Sequence, residues 1–201
     1  MFVVNRGRDF GFLRCSCGYA KVIRNPQEEQ QLKRGSHRTP YDMPCRRTFW
    51  HPREDLAHEF RTDVLQLRFQ RALPELQSEE PARAREGQDR FLRTLADSIR
   101  KAAMTLLSLE PRELAATSRL YSDRFPEIVL YDTVPGGAGY CRMLVERHSA
   151  RSLLKAAEKV LDCKAGCTLS CRLCLRDYEN QIAWEKLERV PVLGWLCQFV
   201  S

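Results

Sequence analysis

Four of the chain's nine cysteines fall within twelve residues, in the run Asp162-Cys163-Lys-Ala-Gly-Cys167-Thr-Leu-Ser-Cys171-Arg-Leu-Cys174. So dense a cluster, with gaps of three, three and two residues, serves little packing purpose and matches metal-ligand spacing. Zn²⁺ takes four ligands at tetrahedral corners, with Zn–S of about 2.3 Å. The CxxC turn supplies one edge of that tetrahedron, and the preceding pair, with Gly166 letting the chain reverse, supplies the other. Lys164 and Arg172 stand beside the cluster, where they offset the double negative charge of a four-thiolate complex and favour thiolate over thiol. Four protein ligands leave no corner for water, so the site reads as structural rather than catalytic. The alternative is four ordinary loop thiols, two of them forming a redox pair.

A second constellation is more widely spaced. Cys15-Ser-Cys17-Gly18 is followed by His37 and Cys45. Gly18 frees the backbone to turn amides toward sulfur, and three thiols with one imidazole would complete a second zinc tetrahedron across the intervening loop. A strand with two half-buried thiols and a solvated His37 is the other reading. Cys141 and Cys197 sit in helix-like contexts and read as small core hydrophobes.

An odd number of cysteines and a start, MFVVNRGRDFGF, without a signal-peptide core argue against a disulfide framework and for a cytoplasmic location. No run of eighteen apolar residues occurs, so no membrane-spanning helix is expected. The formal net charge of +7 permits a polyanionic partner without demanding one. No GxxxxGK[ST] stretch is present, so nucleotide hydrolysis would fall to another subunit.

Pro126-Glu-Ile-Val-Leu-Tyr-Asp132-Thr133 reads as a buried strand running into Val134-Pro-Gly136-Gly137-Ala-Gly139-Tyr140. A helical pattern follows through Val145 and resumes after Ser149. Strand, glycine turn and helix are the parts of an anion cradle, yet a tight connection that only glycine can make explains the same residues. Asp132 at the strand end is placed to cap the helix or its turn.

The stretch Leu130–Tyr140, the helical segment after it, and the four cysteines running into Cys174-Leu-Arg-Asp-Tyr-Glu-Asn180-Gln181 resemble a helicase-associated zinc-binding domain. That domain is the C-terminal module of MrfA-type DNA repair helicases and also occurs in DrmB of the DISARM phage-defence system. The block His58-Glu-Phe-Arg-Thr62-Asp63-Val-Leu-Gln-Leu-Arg-Phe69 and the CxCG stretch look like the same family, with the longer DrmB version the better fit. The resemblance spans about residues 10 to 190. Family members carry the module behind a much larger chain, so it implies a fragment, a split-gene product or a subunit serving a helicase in trans.

The expected fold is α+β: a small mixed sheet against a long helix, with cysteine-rich zinc-binding lobes. The organisation reads as an amino-terminal lobe with strands over 1–73, a polar loop over 74–88 and the zinc-binding module over 89–201. Period-two alternation marks a half-buried strand over 61–69, Leu114 to Tyr121 reads as another strand, and short helices follow from Ile182. In the long helix from Asp89, Phe91, Leu92, Leu95, Ala96, Ile99, Ala103, Leu106 and Leu107 form the apolar stripe, opposite Arg90, Arg93, Asp97, Arg100 and Lys101. The function implied is a non-catalytic accessory module that helps a helicase partner engage DNA. Arg142, Arg147, Arg172 and Arg176 are candidate phosphate contacts, with Tyr140 and Tyr178 placed to stack on unpaired bases. Two alternatives are a metal-dependent nuclease or hydrolase drawing on His58, Asp63, Asp132 or Glu179, and a pure protein-interaction scaffold. No HExxH and no clear carboxylate pair supports the enzyme.

Overall fold

The strand over 61–69 alternates because one face meets a core: Leu65 and Leu67 are half-buried while Val64, Gln66 and Arg68 are exposed. In the computed structural model, residues 2–5, 10–46, 49–74, 81–121 and 124–200 are described. The chain divides into two units, residues 1–60 and 61–201.

In the first unit, β1 (Phe2–Asn5) pairs antiparallel with β4 (Leu56–Glu59), and β2 (Phe12–Arg14) pairs with β3 (Ala20–Val22). Leu13, Cys15 and Ile23 form its small buried centre. Between β3 and β4 lies α1 (Pro26–Arg34), which sequence reading missed. Its signals are present: the Asn25 side chain accepts the Glu28 amide at 2.8 Å, Pro26 opens the first turn, and Glu28 and Glu29 precede Lys33 and Arg34. Arg14 and Glu54 form a two-pronged ion pair, each contact 2.8 Å, that ties the hairpin to the segment before β4.

In the second unit, β5 (Val64–Arg68), β6 (Leu114–Tyr121) and β7 (Phe125–Asp132) form an antiparallel sheet in the order β5-β7-β6, and α2 (Pro81–Leu107) packs against β6 and β7. The strand expected over 61–69 therefore belongs to this unit, not to an amino-terminal lobe ending at 73. The helix begins at Pro81 rather than Asp89, so the second half of the expected polar loop is helical; residues 75–80 of that loop lie outside the described residues. The apolar stripe of α2 is buried as expected at Phe91, Leu92, Leu95, Ala96, Ile99 and Ala103. The opposite face is not solvated, however. Thr94, Asp97, Ser98 and Arg100 are buried as well, because the zinc-loop segment covers that side: Arg100 pairs with Asp97 at 3.4 Å and with Asp177, and donates to the Pro111 carbonyl.

Two helices, α3 (Tyr140–Arg147) and α4 (Ala150–Leu161), follow the sheet, separated where Ser149 accepts the Ser152 amide as an N-cap. Leu153, Ala157 and Leu161 of α4 face α2 in the core. After the cysteines come a short 3₁₀ turn (Gln181–Lys186), α5 (Arg189–Leu196) and a second 3₁₀ turn, placing Trp195 against Phe69 and Phe91. The fold is α+β, as expected. No helix among the described residues is long and apolar enough to cross a membrane.

Candidate metal centres and the glycine loop

The segment from Asp162 to Asn180 contains no strand or α-helix, so its backbone needs other partners. Gly166, at φ +62, donates its amide to the Cys163 carbonyl and reverses the chain between the first two cysteines. The Cys174 amide reaches the Cys171 carbonyl, closing the second turn. These two turns bring Cys163, Cys167, Cys171 and Cys174 together, with all four sulfurs within 4.8 Å of one another.

A tetrahedron with Zn–S of about 2.3 Å has S···S edges of about 3.8 Å. The observed separations are 3.6 Å for Cys163–Cys171, 3.7 Å for Cys167–Cys174 and 3.8 Å for Cys171–Cys174. All are far beyond the disulfide length of about 2.05 Å, and all nine cysteines are free. The Leu173 amide holds the Cys171 thiol down to about 7, aided by its sulfur neighbours, while burial pushes Cys174 up to about 12. A metal bound here would be held by the four sulfurs as thiolates.

Cations flank the cage from two directions. Lys101 Nζ donates to the carbonyls of Cys174 (2.8 Å) and Arg176 (3.2 Å). Arg189 donates to the carbonyls of Leu161 and Cys167, and its own amide reaches the Leu169 carbonyl. Neither residue was singled out by sequence, since a cation on a helix gives no sign that it will serve a distant loop. Lys164 and Arg172 do stand beside the cage, exposed, and Arg176 lies over the Trp184 ring while donating to Ser170 Oγ.

The first unit also assembles its four expected groups. Cys15, Cys17, His37 and Cys45 present ligand atoms within 4.8 Å of one another. Cys15 and Cys45 sulfurs are 3.9 Å apart, and Cys17 Sγ is 3.5 Å from His37 Nε2, close to the roughly 3.6 Å edge that Zn–S and Zn–N bonds imply. Gly18, at φ +95, makes the turn expected of it. His37 lies between Tyr19 and Trp50, ring centroids 4.9 and 4.8 Å away, which fixes its plane. Although burial opposes it, the Tyr19 amide and His37 bring the Cys17 thiol down to about 6. The residues of both clusters fit zinc.

In the glycine loop three backbone amides turn inward onto one carboxylate. Asp132, fully buried, accepts the amides of Ala138 (2.9 Å), Tyr140 (2.9 Å) and Cys141 (3.0 Å), capping α3 from the strand end. Those amides would have faced a phosphate, and they are occupied. Gly136, Gly137 and Gly139 all have φ between +79 and +94. At Gly137 an added Cβ would lie 2.8 Å from Asp63 Oδ2. Arg142, exposed, stands 3.6 Å from Asp63, and Arg147 is exposed at the end of α3. Tyr140 is not free to stack: its hydroxyl donates to Glu113 at 2.5 Å. Tyr178 is 71 % exposed. Cys141 is buried as expected, and Cys197, half-buried, donates to Glu158. His58 is exposed and stacks on Phe60, and Glu179 pairs with Arg112.

Part of the chain, the cysteine module included, is similar to known proteins. Residues 95–175 match the family model described as the MrfA Zn-binding domain. The match runs from mid-α2 through β6, β7 and α4 to just past Cys174, and so takes in Lys101 as well as the cage. The Druantia protein DruE of Escherichia coli (strain UMEA 4076-1) is 29% identical over 208 residues, spanning 94% of this chain. The chain amounts to 11% of that relative's length. Two crystal structures of the DUF1998 helicase MrfA, one bound to DNA and one to DNA and AMPPNP, cover 79% of this chain and 19% and 18% of theirs. Their identities are 17% and 15%, with TM-scores of 0.47 and 0.45.

Proposed function

We propose that this chain is a non-catalytic, zinc-stabilised accessory module of a DNA helicase system. In it, Cys163, Cys167, Cys171 and Cys174 ligate one Zn²⁺, and Cys15, Cys17, His37 and Cys45 a second. The observation that carries this reading is the closed cage: four sulfurs at tetrahedral separations supply every corner and leave none for a reacting water. The metal organises the loop between α4 and α5, and ATP hydrolysis belongs to a helicase subunit or domain acting in trans. Phosphate contacts fall to the exposed Arg142, Arg147 and Arg172, whereas Arg176 is partly spent on Ser170 and Trp184. The module works in the cytoplasm, where its thiols stay reduced. For its setting we favour anti-phage defence, which the DrmB-like stretch implies, over the DNA repair of MrfA-type helicases. The Druantia relative is a further named system in which a segment of this kind occurs.

The nuclease reading loses its best acid, because Asp132 is buried and holds three amides. The test is to incubate the zinc-loaded chain with DNA and either Mg²⁺ or Mn²⁺. We expect no cleavage, and a DNA affinity that falls steeply with added salt. Metal-restored cleavage would overturn the accessory reading, and salt-independent or absent DNA binding would leave only a protein scaffold.

A further inference from the structure

Two grooves meet on the face of the second unit that carries the zinc loop. The larger, of about 540 Å³, lies between the C-terminal half of α2, the end of α4 and the two cysteine turns. The smaller, of about 220 Å³, runs along α2 past the start of β6. Both include Pro111, and the Arg100–Asp177 ion pair stands between them, Arg100 lining one groove and Asp177 the other.

Their charges are not evenly spent. Lys101 is pinned on the floor by the Cys174 and Arg176 carbonyls, next to the cage whose negative charge it faces. Lys159, Lys164 and Arg172 line the larger groove on its solvent side, and among the described residues none has a carboxylate partner; Arg172 only stacks on Trp184. Two of the three, Lys164 and Arg172, sit inside the turns that carry the cysteines, so a bound metal would order the backbone that presents them. Between Asp177, which lines the larger groove, and Glu179, which lines the smaller, Tyr178 is exposed; Arg112 of the smaller groove lies over its ring, 5.8 Å from the centroid, while pairing with Glu179, and both side chains are more than 70% exposed. Three unpaired cations in the larger groove, with an exposed aromatic backed by a guanidinium beside it, match what a flexible polyanion with stackable bases needs, while the arginines of the smaller groove are paired with Asp97, Asp177 and Glu179. A duplex would instead ask for a protruding helix or ribbon to enter its groove. The Asp162 and Asp177 carboxylates in the larger groove disfavour a dense acidic peptide, which has no bases to recover the cost.

We propose that the joined grooves are a track for single-stranded nucleic acid, with Lys159, Lys164 and Arg172 on phosphates and Tyr178 stacking on a base. This rests on the reading that the module engages DNA, but assigns the strand to the zinc-loop face rather than to α3. The test is fluorescence anisotropy of the full zinc-loaded chain with a labelled oligothymidylate of about 12 nucleotides, between about 50 and 200 mM salt. The single strand should bind more tightly than a duplex of equal length. The double variant Lys159→Gln/Lys164→Gln, with parental zinc content and melting temperature, should lower the salt slope by about 1.4, about 0.7 per lost phosphate contact. Tyr178→Ala should weaken binding about five- to a hundredfold and leave the slope alone. An unchanged slope in the lysine variant, a preference for duplex, or equal displacement by polyglutamate (a protein partner's chemistry) would overturn the track. If only Arg142→Ala/Arg147→Ala moves the slope, the track falls while the accessory reading stands. If the parent binds no DNA, both fall.

Discussion

Replacing Asp132 by alanine tests whether the glycine loop is a capped turn. Its carboxylate accepts three amides at 2.9, 2.9 and 3.0 Å from a fully buried position, and Thr62 Oγ1 donates to its carbonyl at 2.6 Å. Each hydrogen bond to a charged group contributes about 1.5–3 kcal/mol. Removing the carboxylate also relieves its own desolvation, which is several kcal/mol for a buried ion, so the three bonds do not simply add. Loss of an ordinary N-cap costs about 1 kcal/mol, and here two further amides are left near a buried site. We therefore expect a loss of about 3–5 kcal/mol, which for a chain of this size lowers Tm by roughly 10–15 °C. Asp132→Asn keeps the volume and part of the accepting capacity, and should fall between parent and alanine. The assay is calorimetric unfolding with zinc held constant. A loss under about 1 kcal/mol for Asp132→Ala would refute the capping argument and return the loop amides to the pool available for an external anion.

Other perturbations probe the cage, the turn and the sheet. Cys171→Ser should release the ion from the C-terminal cage and cost several kcal/mol, because structural zinc binding is itself about 10–16 kcal/mol of folding free energy; a full zinc complement by elemental analysis with unchanged Tm would contradict this. Gly137→Ala should cost about 2–3 kcal/mol, since it meets both a positive φ and a Cβ 2.8 Å from Asp63, and thermal unfolding that matches the parent would show that the loop relaxes freely. Burial opposes ionisation of Glu127, but Arg119 and Arg68 outweigh it and hold the carboxyl below its ordinary value of 4.5. A depressed folded-state pKa gives stability that is full above that ordinary value and lost as pH falls below it. The urea-midpoint gap between parent and Glu127→Gln should therefore narrow from pH 5 toward 3, and a constant gap would remove Glu127 from the account.

How far the sequence could be read depended on whether the information was local. The cysteine spacings, the αL glycines and the Asp132 cap are local devices, and the structure brings those residues together. The strand from Leu114 to Tyr121 was legible because a buried neighbour, Ile128 to Leu130, demanded a partner. The Asn25-Pro26 start of α1 was local too, and was overlooked because α1 has no buried residue and thus no apolar stripe. The polar side of α2 could not be read correctly. Asp97 and Arg100 look like a solvated face until Asp177, some eighty positions later, covers them. The misplaced helix start has a local cause: the helix was judged by its stripe, which begins at Phe91, whereas Pro81 is a good first residue with no stripe to announce it.

The Asp177 contact also says why this loop should need a metal at all. The second unit has a hydrophobic core from Phe69 to Val200, and the cage sits at its edge, with Cys163 and Cys174 buried in it and Cys167 and Cys171 packed against it. The loop after α4 is different, because from Asp162 to Asn180 it has no strand or helix yet covers one side of α2. Its carbonyls are held from outside, by Lys101 on α2 and by Arg189 on α5. Asn180, itself buried, stitches the loop to its own Leu175 carbonyl and Asp177 amide. These polar ties fix orientation, and apart from Leu175 and the cysteines the loop adds few side chains to the core, so a bound ion would add to its stability. The cysteines thus supply the missing centre of the lobe, and the ties transmit its order to α2. Removing zinc should therefore free Arg100 and Lys101 from their partners before it melts the sheet, with loop amides exchanging hydrogen early and β7 amides late. Simultaneous exchange of both would show that cage and core unfold as one.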